Sequence, residues 1–124
     1  MIKQFAVGGA VALLLIAGGA KAAVVESNAQ GFAIEETVQI KASPAKVYAA
    51  LIRPENWWDS EHTFSQDAKN LSLDPKAGGC LCEILPGGGS VQHLIVAFTM
   101  PGKTIRFRGA MGPFQGQGVD GALT

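Results

Sequence analysis

The chain is poor in the residues from which reactive sites are usually built. Its 124 residues hold two cysteines, two histidines and one tyrosine, and Lys plus Arg equal Asp plus Glu at ten each. With no net charge and no basic run, the sequence carries no electrostatic footprint for nucleic acid. Arg106 and Arg108, two residues apart, suit a solvated strand face. Cys80 and Cys82, with His62 and His93 the only histidines, make a weak metal-ligand set, so no metal is expected. Ser60, Glu61 and His62 are consecutive, which is no geometry for a nucleophilic relay. No apolar run reaches the roughly 20 residues needed to span a bilayer.

The nearest to such a run lies at the start. Lys3 precedes an apolar stretch from Phe5 to Gly19, diluted by Gly8, Gly9, Gly18 and Gly19, and Ala20-Lys21-Ala22 follows. A charged start, a short apolar middle and an A-x-A site describe a secretory signal. Residues 1–22 are therefore expected to be a cleaved signal peptide and the protein to be exported, periplasmic or secreted, with no membrane span after cleavage.

In an oxidising compartment two cysteines invite a disulfide. Residues i and i+2 of an extended strand lie on one face about 6.5 Å apart, at the far end of what a disulfide tolerates. The pair is accordingly expected as thiols in the core or a pocket wall, ahead of a metal or redox role.

Residues 23–31 suggest a flexible lead. From Phe32 to Lys41, Ile34, Val38 and Ile40 share one face against Glu35, Thr37, Gln39 and Lys41, which predicts a half-buried strand. Ser43-Pro44 is a helix start: the hydroxyl accepts from a free amide, and proline loses nothing at the first position. Val47, Tyr48, Leu51 and Ile52 form a helical stripe that Pro54 ends. Pro54-Glu55-Asn56 opens a second short turn carrying Trp57 and Trp58. Leu71–Leu73, Cys80–Leu85, Val91–Met100 and Thr104–Ala110 are predicted strands. Their short connections, Pro86–Ser90 among them, require an antiparallel meander. The tail contains Gly116-Gln117-Gly118-Val119-Asp120-Gly121, a formal G-x-G-x-x-G, but only three residues follow it, so it opens no dinucleotide-binding helix.

The constellation of Ile40, Ser43-Pro44, Val47-Tyr48, Leu51, Pro54, Trp57-Trp58, Gly78-Gly79 and Glu83 resembles the SRPBCC superfamily. This helix-grip group includes START-like domains, polyketide cyclases and activators of heat-shock ATPases. The resemblance covers 32–124 and implies an α+β fold: a curved antiparallel sheet with two short helices after the first strand, around an apolar cavity. It implies a small hydrophobic ligand and no cofactor. The long C-terminal helix of the family has no counterpart before Thr124. Without it Ile34, Val38, Ile40, Ile105 and Phe107 are expected to keep apolar area in water. A few hundred Å² left uncovered forfeits several kcal/mol at about 25 cal/mol per Å², on the scale of a small domain's whole stability. A marginal chain, a shortened product or a homodimer covering that face is the expected consequence.

Tyr48, Trp57, Trp58, Phe64, His93 and Phe107 are the candidate ligand-binding residues, since aromatics supply large, oriented contact area. His93 and Glu83 are the candidates for acid–base chemistry, because the Pro86–Ser90 turn pairs their strands. An ordinary hydrogen-bonded histidine accounts for the same spacing. A binding module, a cyclase- or hydratase-type enzyme in the same cavity, and an interaction protein are the competing readings. Export disfavours the last, whose family partners are cytosolic.

Overall fold

The computed structural model describes residues 21–124, so the expected signal peptide lies outside the described residues except for Lys21 and Ala22. By internal contacts the chain divides into two units, before and after the Ile40–Lys41 bond. By that division residues 32–40 group with the residues that precede them.

The first unit is a hairpin. Strand β1, Lys21–Asn28, pairs antiparallel with β2, Gly31–Thr37, with a bulge at Val25. Asn28 shapes the turn, its Oδ1 accepting from the backbone N–H of Gln30 at 2.8 Å and Gly31 at 3.2 Å. The segment 23–31 is thus strand and turn. The strand expected to reach Lys41 ends at Thr37, opposite Lys21.

The second unit begins with helix α1, Pro44–Leu51, where Ser43 Oγ accepts from Lys46 N as its sequence requires. Val47, Tyr48 and Ile52 are half-buried and Leu51 exposed. A 3-10 turn at Pro54–Asn56 is closed by Trp57 N and Trp58 N, both donating to Pro54 O. Two more such turns, Ser60–His62 and Ala68–Asn70, are capped by Asp59 and Asp67. Then comes a five-stranded antiparallel meander: β3 (Leu71–Leu73), β4 (Cys80–Ile84), β5 (Ser90–Met100), β6 (Thr104–Gly109) and β7 (Gly121–Leu123). The strands neighbour one another in chain order, as the short connections demand. A 3-10 stretch, Gly112–Gln117, links β6 to β7. The formal glycine motif spans the end of that stretch, a left-handed Gly118 and the start of β7, with no nucleotide geometry.

Two register shifts bend β5. Leu81 faces Leu94 but Cys82 faces Gln92, so His93 is an extra residue; Val96 faces Phe107 but Phe98 faces Arg106, so Ala97 is another. Bulges add curvature and re-aim side chains. The first turns both His93 and Leu94 inward, and both are buried.

The core lies on one face of this sheet: Leu81, Leu94, Val96, Ile105 and Phe107, with Leu73 and Met111 against them. Each buried side chain of this kind contributes roughly 1.5–3 kcal/mol. Ile105 and Phe107 are therefore not left in water, contrary to expectation, whereas Ile34, Val38 and Ile40 are 60%, 51% and 58% exposed. Phe107, a candidate for ligand contact, is a core residue.

A second correction concerns the cysteines. Cys80 and Cys82 form a disulfide, with Cα atoms 5.4 Å apart. β4 is shorter here than an ideal extended strand, next to the first register shift, and that contraction removes the geometric objection.

Candidate functional site

Glu83 and His93 are the two buried ionisable residues among those described. Glu83 sits on the inner face of β4 by alternation with Leu81; His93 reaches the same face through the bulge. His93 Nε2 lies 2.8 Å from Glu83 Oε2. The other donors to the carboxylate come from the loop between α1 and β3: Phe64 N donates to Oε2 at 3.2 Å and Ser65 N to Oε1. Burial by itself pushes the Glu83 carboxyl up. The hydrogen bonds from Ser65, His93 and Phe64 outweigh it and hold the group below the usual glutamate range.

An ionised carboxylate only accepts, so His93 donates from Nε2. In the neutral tautomer that donates from Nε2, Nδ1 is an acceptor. Nδ1 is buried and meets no partner among the described residues. A buried polar atom without a partner costs about 1–3 kcal/mol, and such an atom is the kind a ligand group or a water satisfies.

Phe64 stacks on the imidazole, ring centroids 5.8 Å apart and planes 27° from parallel. Around this pair is a hollow of about 40 Å³, walled by Trp58, His62, Phe64, Leu71, His93 and Met111, with Gly112 at its edge. That is room for about one water. Beyond Phe64 a wider recess of about 270 Å³ opens among His62, Thr63, Phe64, Gly112 and Pro113. Its walls are the 62–64 loop and the start of the β6–β7 link. The loop is held by its own bonds: Trp58 Nε1 to His62 O at 3.3 Å, Thr63 Oγ1 to Ser60 O at 2.8 Å, and Ala68 N to Ser60 Oγ at 3.0 Å.

Of the six aromatic and histidine candidates, the structure gathers Trp58, Phe64 and His93 at this place. Trp57 stays half exposed and braces α1, its Nε1 donating to Ala50 O at 2.9 Å while its ring tilts 45° against Trp58 at 5.2 Å. Tyr48 is bound through its hydroxyl to Thr99 Oγ1 at 3.1 Å, fixing α1 to the far end of β5. Neither lines the hollow, and Phe107 lies in the core. Leu71 and Met111 were missed: their signal was apolar character alone, which any core residue shares. Among the described residues no group of three or more His, Cys, Asp and Glu side chains is placed to hold a metal ion, and no helix is long and apolar enough to cross a membrane. Comparison with family models, characterised proteins and solved structures finds nothing that matches this chain.

Proposed function

We propose that residues 41–124 form a helix-grip-type module, exported by the charged–apolar–A-x-A leader, that binds a small hydrophobic molecule with one hydrogen-bond donor. The observation that carries this reading is the buried, unpartnered Nδ1 of His93, a residue that lines a mainly apolar hollow. Pockets that orient a ligand are mostly apolar with a few placed polar groups, and Trp58, Phe64, Leu71 and Met111 with the imidazoles of His62 and His93 fit that description. The ligand body, one or two rings in size, occupies the outer recess, and its hydroxyl or N–H reaches the imidazole after Phe64 yields.

Titration with fatty acids, flavonoids and simple phenols, followed by tryptophan fluorescence, tests this. A saturable quench by a phenol or flavonoid is expected, weakened about tenfold in His93→Ala, the equivalent of one hydrogen bond. No saturable response across the panel overturns the reading.

A second reading rests on the Glu83–His93 contact. A histidine oriented by a carboxylate is the arrangement of a general base, and it makes cyclase- or hydratase-type proton transfer on the bound molecule the natural alternative. Turnover of a bound phenol or polyketide-like ester that is lost in both Glu83→Gln and His93→Ala, with binding retained in Glu83→Gln, separates an enzyme from a carrier.

A further inference from the structure

The Cys80–Cys82 disulfide takes no part in the hollow beside His93. Leu81 and Glu83 face inward, so the alternating cysteines project from the opposite face of β4, where both are half-buried. A bond between residues two apart closes a very small ring, so it restricts the unfolded chain less than most disulfides do. Its flanks are fastened anyway, since β4 pairs with β3 on one side and β5 on the other. The fold has little need of it as a staple.

Its surroundings point elsewhere. Directly across the ladder, Cys80 faces Ile95 and Cys82 faces Gln92. Opposed residues of an antiparallel pair project to the same side with Cβ atoms about 5 Å apart. Ile95 and Gln92 also line a groove of about 470 Å³, with Arg108, Gln115 and Val119. The groove runs from β5 across β6 to the link before β7. Its far wall is tied down, Gln115 Nε2 donating to Gln92 O at 3.2 Å and Arg108 pairing with Asp120 at 2.6 Å. Ile95 and Val119 beside the Gln92 side chain in an open trough suit an extended peptide.

We propose that the Cys80–Cys82 disulfide and this groove form a thiol–disulfide exchange site for an extended peptide carrying two thiols. A substrate thiolate attacks one sulfur; the Cys80–Cys82 bond breaks, a mixed disulfide forms, and the other cysteine leaves as a thiolate. The second substrate thiol, deprotonated by solvent, attacks the substrate sulfur of that mixed disulfide. The substrate disulfide forms and the second protein thiolate leaves. The chain gains two electrons and the peptide loses two, while two protons pass from the substrate thiols through solvent to the new cysteine thiols.

The test uses the oxidised full chain under argon, mixed with a reduced synthetic peptide bearing two cysteines among apolar residues, or with glutathione at equal thiol concentration. Chromatography and mass spectrometry follow the peptide disulfide and the protein dithiol. The expected result is one equivalent of peptide disulfide per chain, formed at least about tenfold faster than glutathione reduces the same bond. In Ile95→Lys, with unchanged circular dichroism, that ratio is expected to fall to near unity; Val119→Asp on the opposite wall serves if the first variant fails to fold. Absence of peptide disulfide, a rate no higher than glutathione's, or a ratio unmoved in the folded groove variant overturns the proposal.

Discussion

At the scale of single residues, Glu83 organises the site. Its two oxygens take hydrogen bonds from Phe64 N, Ser65 N and His93 Nε2, so one side chain positions both the loop and the imidazole. Glutamine in its place keeps one acceptor oxygen but turns an N–H₂ toward a donor. The expected loss for Glu83→Gln is about 1–3 kcal/mol in urea unfolding at neutral pH. The pH dependence has a definite sign. The folded Glu83 carboxyl lies below its ordinary value, so the unfolded chain binds the proton more readily. Its contribution is whole above about pH 4.3, the unfolded value, and fades as pH falls through the folded value. Unfolding free energy measured between pH 3 and 6 is expected to drop more steeply below about pH 4.3 in the native chain than in Glu83→Gln.

At the scale of elements, the β3–β4 turn and the bulged β5 shape the sheet. Gly78 N donates to Val96 O at 2.9 Å and Val96 N to Gly79 O at 2.8 Å, so the two glycines extend the ladder past Cys80. Gly78 has a φ of +84°, and a Cβ on Gly79 would collide with the Asp74 carbonyl. Gly79→Ala is expected to cost about 1–3 kcal/mol, read as a lowered thermal midpoint. The disulfide contributes less than most. Closing a three-residue ring is worth about 1.5 kcal/mol by chain entropy. Reduced and oxidised forms should differ by no more than that in denaturant, with the same far-ultraviolet spectrum. These elements also mark what was legible. The Ser43-Pro44 start and the four strands from Leu71 to Gly109 follow from local chemistry and short turns and lie within one residue of their expected bounds, whereas Leu51 of the stripe stays exposed and β7 has no signal in the glycine-rich tail. The bulge at His93 left no trace, because Gln92 and His93 put one polar residue on each face and LIVAF after them is apolar on both, so a slipped alternation cannot be seen. That one extra residue brings His93 inward onto Glu83, and β4 contracts beside it. The meeting of Glu83 and His93 was therefore readable as a pairing of strands, but not as a contact. The cysteine pairing is not legible either, because an ideal strand sets residues i and i+2 farther apart than the 5.4 Å seen here.

At the scale of the whole molecule, stability is unevenly distributed. Among the described residues every buried apolar side chain belongs to the second unit, the main cluster on β4, β5 and β6 with Ala68 and Leu71 before it. The hairpin of the first unit leaves Val24, Val25, Phe32 and Ile34 at least 59% exposed. Two strands alone are marginal in water, and backbone bonds open to solvent break locally at little cost. Ile105 and Phe107 are buried within the second unit itself, whereas Ile34, Val38 and Ile40, on the hairpin and its exit, stay exposed. Native-state hydrogen exchange on the full chain resolves the difference residue by residue. Amides of Leu81, Leu94, Val96 and Phe107 are expected to exchange only through global unfolding, so their opening free energies should match that from denaturant. Amides of Val24, Glu26 and Ile34 should exchange orders of magnitude faster, with opening free energies that denaturant barely changes. Equal protection of hairpin and core would mean that something covers Ile34 and Phe32 in solution, and that the chain unfolds as one cooperative body.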